Sequence, residues 1–545
     1  MRSRRRSRRP GRAVLVVLAT TAASLALVVP SADAGPPQHG PDAGPAQSVR
    51  SCASLGELRL PDTTVTSAVT DAGDATTPAS CRVTLTVDDP EDTGVVTVWV
   101  DLPESTWNGR FQGVGGGGFS GGTPERLLPA LRAGYAAAAT DAGNPRGSNT
   151  DPTDDAQFAL DPDGTLDWPA IEDFGHEGVH DMTVTAKAVV AAYYGHDPAH
   201  SYFNGCSTGG RQGLMEAQRY PDDYDGIAAG APVINWPQLQ TMQIWGQLVM
   251  EEEGNPIPAC EFAAALSATV AACDTVGDGV VDGVISDPLA CSFDLGTLVG
   301  TVTPCGEITA QDVEVMRRIA QGPRRPDGGF LWYGLPPGAP YAGLHDVVQQ
   351  PDGTLLQQPF VFDIWWFRYF LTQDPDFDWT SLTYESYADW FDVAVERYDE
   401  VLGASDPDLS AFHASGGKLV VWHGGADFGV PVQGSIDYYE RVQDTLGRGQ
   451  TEQFLRLFLF PGVGHCGGGA GAQPVDPLRA VVEWVEEGTA PRTLDATSVV
   501  EDGTVTGTRP VCAYPWVARW TGRGERADGS TYRCVPATRL QLRQA

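Results

Sequence analysis

The sequence predicts an α/β fold, and three observations carry that expectation. Three short apolar runs, "HSYFNG" from His200, "KLVVWHGG" from Lys418 and "LRLFLFPG" from Leu455, read as buried strands. Each run leads into a residue type that carries chemistry: Ser207, Asp427 and His465. Open α/β sheets hold their sites at the carboxyl ends of their strands, so three such residues at three strand ends point to one site.

The segment Asn204-Gly205-Cys206-Ser207-Thr208-Gly209-Gly210 contains Gly205-x-Ser207-x-Gly209, the pattern of a nucleophile elbow. Such an elbow is a strained strand-to-helix turn, and small flanking residues let the backbone close around the serine. The run "GRQGLMEAQRYP" continues as a helix up to Pro221, which puts the Thr208 amide at a helix N-terminus, able to donate to an oxyanion. A second donor must come from another loop. The glycine run at 115–118, which follows the apolar stretch "VVTVWVDLP", offers Gly116 and Gly117. A serine hydroxyl is a weak nucleophile, so it needs a histidine to take its proton and a carboxylate to orient that histidine. Ser207, His465 and Asp427 fill these roles in the chain order Ser, Asp, His, which is that of an α/β-hydrolase. The alternatives are a chance Gly-x-Ser-x-Gly in a chain with 64 glycines, a turn acid at Asp427 and a loop histidine at His465.

Further motifs are "WNGRFQGVGGGGFSGG", "CDTVGDGVVDGVISDPLAC" and "RPVCAYPWVARWTGRG", and cysteines stand beside both Ser207 and His465. In this combination, from about Cys52 to Cys534, the chain resembles the tannase and feruloyl esterase family of α/β-hydrolases, which also includes mono-terephthalate ester hydrolases. The resemblance implies an α/β-hydrolase core with a large inserted lid domain. It also implies a secreted serine carboxylic ester hydrolase, acting on small esters of aromatic, phenolic acids such as ferulate, gallate or terephthalate-type esters, with no organic cofactor. Within the family a disulfide joins the cysteines beside the nucleophile and the histidine, here Cys206 and Cys466. Spacing and the resemblance together suggest Cys52 with Cys81, Cys273 with Cys291 and Cys512 with Cys534, and elimination leaves Cys260 with Cys305.

The stretch from Cys273 to Val284 alternates aspartates and glycines, a composition that turns a chain so that oxygens converge on a hard cation. It lacks the terminal glutamate of an EF-hand. Carried over from the family, calcium ligands would be Asp274, Asp278 and Asp282 with the carbonyls of Val280 and Val284. Asp274 and Asp278 stand one residue further apart than in the family pattern, a departure that falls on Asp274. The alternative is a solvated acidic turn.

At 545 residues the chain is long enough for a large core with an inserted domain. A basic start, an apolar stretch and the small-residue site Ala32-Asp33-Ala34 make residues 1–34 a secretory signal peptide, with a retained anchor as the alternative. Its removal takes seven arginines and one aspartate, leaving 29 basic against 69 acidic residues and moving the net charge from −34 to −40. Nucleic acid is excluded as a partner by that charge, and after signal cleavage no membrane association is expected. Ten cysteines in an exported chain imply an oxidising compartment.

The organisation expected is a signal peptide at 1–34, a Pro/Gly/Ala-rich leader at 35–50, hydrolase core at 51–232, a lid with the acidic loop at 233–400, and core again at 401–545. The core segments include helices in "HEGVHDMTVTAKAVVAAYYG" and "DPLRAVVEWVEEG". Lid aromatics Trp365, Trp366 and Phe367 are candidates to stack on a phenolic acyl group, beside Arg368, although such a stripe is more often core. His180 and His423 read as structural. Two other functions remain open at this stage: a serine peptidase on the same fold, and a catalytically idle, calcium-stabilised extracellular binding protein.

Overall fold

The computed structural model describes residues 48–88, 94–145, 156–500 and 504–537, all within one unit spanning Pro45–Ala545. The signal segment and nearly all of the leader lie outside the described residues.

Among the described residues, nine strands form the main sheet. β1 (Thr63–Asp71), β2 (Ser80–Asp88) and β3 (Val95–Pro103) run antiparallel, with Val83 opposite Val100 and Leu85 opposite Val98. The alternation in β2 is what a one-sided sheet needs, because Cys81, Val83, Leu85 and Val87 are buried while Arg82, Thr84 and Thr86 are half-buried. β4 (Arg110–Val114), β5 (Ala136–Thr140), β6 (His200–Cys206), β7 (Gly226–Gly230), β8 (Lys418–Gly424) and β9 (Leu455–Phe460) make the parallel part, and the sheet order is β1-β2-β3-β5-β4-β6-β7-β8-β9. Parallel strands are covered on both faces, which explains the continuous burial of β5 and β7 and of nearly all of β8. Helices α1 (Gly178–Tyr194) and α2 (Thr208–Arg219) flank β6, so the elbow sits where a central strand turns into α2.

Between β7 and β8 the chain adds no strand to this sheet. That stretch carries α3 (Ala259–Cys273), α4 (Tyr384–Leu402) and short hairpins. In α4 the buried positions Tyr387, Phe391, Ala394, Tyr398 and Leu402 recur every three or four residues, and a Thr383–Ser386 capping box opens the helix. They join an apolar cluster with Trp236, Leu248, Phe262, Met316, Trp366 and Phe370 that also takes in Phe119 from the glycine-rich loop. Each fully buried side chain of this kind contributes about 1.5–3 kcal/mol relative to exposure. The insertion is therefore packed on the loop beside the elbow.

The chain returns through α5 (Val432–Leu446), between β8 and β9, and α6 (Pro477–Glu487), whose Asp476 side chain accepts from the Arg479 amide as a cap. A tail of strands follows, β10 (Thr493–Val499) with β11 (Val505–Cys512) and β12 (Trp516–Trp520) with β13 (Tyr532–Pro536). Five disulfides pair Cys52 with Cys81, Cys206 with Cys466, Cys260 with Cys305, Cys273 with Cys291 and Cys512 with Cys534, as expected from the sequence. Among the described residues no helix is long and apolar enough to cross a membrane.

Candidate active site

Ser207 occupies the turn from β6 into α2 with φ 65° and ψ −121°. A non-glycine residue held there stores on the order of 1–3 kcal/mol, which the surroundings must offset. They do so by close backbone contact. A Cβ on Gly205 would lie 2.6 Å from the Gly209 carbonyl carbon, and one on Gly115 would lie 2.5 Å from the Gly209 Cα. Only glycine allows the glycine-rich loop and the elbow to approach this closely.

The three strand ends meet. Ser207 Oγ is 2.8 Å from His465 Nε2, and His465 Nδ1 is 2.7 Å from Asp427 Oδ2. Asp427 is fully buried, and its Oδ1 accepts the amides of Gly429 and Val430, both at 2.9 Å. Burial alone would raise its pKa, but the facing His465 charge and the hydrogen bonds from His423 and His465 hold it well below the usual carboxylate range. Burial opposes the charged form of His465, and the Asp427 charge and hydrogen bond outweigh that, so the imidazole pKa is raised. Such a row can move a proton from serine to histidine while the carboxylate stays ionised. Cys206 and Cys466, each adjacent to a member of the row, are bridged with Cα atoms 6.0 Å apart.

His423 differs from its structural reading. Its Nε2–H donates to the Val430 carbonyl at 2.9 Å and to Asp427 Oδ2 at 3.2 Å, while Nδ1 accepts from Ser435 Oγ at 2.8 Å. It thus supports the carboxylate that orients His465. The sequence held no signal for this beyond a histidine four residues before Asp427.

The glycine donors need correction. The Gly116 amide donates to Gln212 Oε1 at 2.9 Å and the Gly117 amide to the Ser120 carbonyl at 3.0 Å, so neither N–H points to an oxyanion. Thr208 stands at the first position of α2, where an amide has no intrahelical acceptor, and its hydroxyl donates to the Gly118 carbonyl at 2.5 Å. Gln212, which also donates to the Gly121 carbonyl at 3.0 Å, is the residue that fixes this loop, and sequence reasoning missed it.

Trp365, Trp366 and Phe367 are buried within the apolar cluster of the insertion, and Trp366 Nε1 donates to Thr241 Oγ1 at 2.9 Å. They are core residues, as such stripes usually are. Arg368 Nε reaches the Phe377 carbonyl at 3.4 Å. A cavity of about 620 Å³ lies apart from the site, lined by Asp278, Glu440, Arg509, Trp516 and Tyr532 among others, and neither Ser207 nor His465 borders it.

In the acidic loop, Asp274 Oδ1 accepts the amides of Asp282, Gly283 and Val284, and Asp278 Oδ1 accepts the Val280 amide. Asp282 pairs with Arg509 at 2.5 Å. Burial raises the pKa of both Asp278 and Asp282. The buried carboxylates of Asp274 and Asp278 and the exposed one of Asp282, in a loop stapled by Cys273–Cys291, fit a hard cation in donor type. Asp274 acts in this loop as an acceptor of backbone amides, which sets its turn.

A mainly parallel sheet with a serine elbow, an acid and a histidine at three strand ends defines an α/β-hydrolase. Residues 81–535 match the family model described as tannase and feruloyl esterase. A probable feruloyl esterase of Arthroderma benhamiae is 43% identical over 465 residues, covering 84% of this chain and 85% of that protein. Among solved structures, tannin acyl hydrolase from Aspergillus niger superposes with a TM-score of 0.77 at 27% identity, covering 87% of this chain and 92% of the other. Feruloyl esterase B from Aspergillus oryzae gives 0.76 at 26% identity, covering 89% and 99%. The chain belongs to the tannase and feruloyl esterase family, and is a carboxylic ester hydrolase.

Proposed function

We propose that this chain is a secreted serine hydrolase of small esters of aromatic acids. The observation that carries the reading is the continuous row of hydrogen bonds from Ser207 through His465 to Asp427. Ser207 Oγ attacks the ester carbonyl as His465 Nε2 takes its proton, and an acyl-enzyme forms. His465 then gives the proton to the leaving alcohol and activates the water that releases the acid. The amides of Thr208 and Gly118 hold the oxyanion, since Gly116 and Gly117 have other acceptors. Aromatic acyl groups are favoured by the names of the relatives. The N-terminal sequence and five disulfides support export.

Assaying methyl ferulate and methyl gallate beside peptide anilides tests the substrate class. The esters should be cleaved and the anilides left intact; cleavage of anilides alone overturns the reading. The mechanism also sets a pH dependence. His465 must be neutral to accept the serine proton, so kcat/KM should fall as pH drops through its pKa. Because Asp427 raises that pKa, the acid limb should lie above the ordinary imidazole value of about 6.5, and Asp427→Asn should move it downward in a pH–rate profile.

The acidic loop, in this reading, holds a structural calcium ion through Asp278, Asp282 and the Val280 and Val284 carbonyls, with Asp274 shaping the turn. Calcium at a hundred times its Kd would stabilise the fold by about 2.7 kcal/mol. A chelator should therefore lower the melting temperature, and an unmoved melting curve would leave a solvated turn.

A further inference from the structure

A second cluster of chemistry-bearing side chains lies outside the site described above. Among the described residues, His180, Glu216 and Asp223 each bring one ligand atom to within 4.8 Å of the others. His180 is on α1, Glu216 on α2 and Asp223 in the turn after α2, so the cluster ties together the helices that flank the nucleophile strand.

Glu216 makes the cluster more than an acidic patch. It is only 1% exposed, and neither Oε1 nor Oε2 has a hydrogen-bond partner. It faces Asp223, another carboxylate, in a setting where two bare negative charges repel strongly. The Lys187 ammonium donates to the Asp223 main-chain carbonyl; its charge offsets part of that on Glu216, but it makes no hydrogen bond to the Glu216 carboxylate. A buried polar group without a partner is costly, so a cation between the carboxylates is what the arrangement lacks.

His180 is set as a metal-binding histidine would be. Its ring stacks on Tyr220 with centroids 3.9 Å apart and 9° between planes, which fixes its orientation. Its Nδ1 lies 2.7 Å from Asp223 Oδ2. Donors around a tetrahedral ion at bond lengths of about 2.0–2.2 Å sit roughly 3.3–3.6 Å apart, so this pair must open by about 0.6–0.9 Å. The His180 side chain is 33% exposed and that of Asp223 15%, which leaves a route for the ion and a position for water. His176 is not part of the set, because its Nδ1 is engaged by the Tyr220 hydroxyl at 2.9 Å.

We propose that His180, Glu216 and Asp223 form a binding site for one divalent transition-metal ion, with zinc the match to a donor set of one imidazole and two carboxylates. The ion clips α1 to α2 behind the elbow. It takes no part in ester chemistry, and it is separate from the acidic loop.

The test is equilibrium dialysis of metal-stripped protein against zinc, with excess calcium present to fill the acidic loop. Wild type should bind one zinc more than His180→Ala, whose partly exposed site tolerates truncation. Glu216→Gln should weaken binding by about ten- to a hundredfold or more, and Asp278→Asn should bind zinc as wild type does. Equal zinc uptake by wild type and His180→Ala overturns the proposal, and then a proton shared by Glu216 and Asp223 neutralises the pair. If Glu216→Gln does not fold, the His180→Ala comparison decides alone.

Discussion

Replacing Ser207 by alanine should lower ester turnover by on the order of 10⁶, with little change in melting temperature. The magnitude follows from how nucleophile, base and acid act as one unit, so that loss of the first removes nearly all that the row contributes. Stability should hold because the hydroxyl's hydrogen-bond partner is His465, and alanine meets the same backbone demand at φ 65°. Steady-state assay on methyl ferulate and a thermal melt check both halves. Turnover within tenfold of wild type would remove Ser207 from the chemistry.

The second large effect should come from removing one covalent bond. Cys206 and Cys466 are 260 residues apart in sequence, and a bridge closing so long a loop restricts the unfolded chain by on the order of 5 kcal/mol in the loop-entropy account. It also fixes the backbones next to Ser207 and His465, with Cα atoms 6.0 Å apart. A misplacement of about 1 Å at such a site costs roughly a hundredfold in rate. The double variant Cys206→Ala/Cys466→Ala should therefore fold, held by the other four bridges, with a lower melting temperature and about a hundredfold lower kcat/KM. Wild-type kcat/KM in a folded double variant would show that packing alone sets the approach of serine to histidine.

The strands that carry the site were legible because they are buried on both faces and so read as continuous apolar runs, as in "KLVVWHG" and "LRLFLF". The elbow was legible because its backbone demands glycines at fixed offsets from Ser207. What could not be read depends on contacts between segments far apart in the chain. The Gly116 amide is taken by Gln212, 96 residues on, and nothing near Gly116 signals it. His423 meets Asp427 four residues on, and the chain beyond Asp427 folds back so that the Gly429 and Val430 amides cap the carboxylate. His180 and Asp223 are 43 residues apart and meet only when α1 and α2 pack against each other on one face of the sheet. Charge alone hid Glu216, since a glutamate on a helix ordinarily faces water and this one is 1% exposed.

The central claim is that Ser207, activated by His465, is the nucleophile. It is tested most directly by labelling the active protein with a fluorophosphonate and locating the adduct by mass spectrometry. The account predicts a single phosphonylated residue, Ser207, with loss of ester hydrolysis in proportion to labelling and no adduct in His465→Ala. An adduct on a different residue, or full labelling of Ser207 with hydrolysis undiminished, would contradict it.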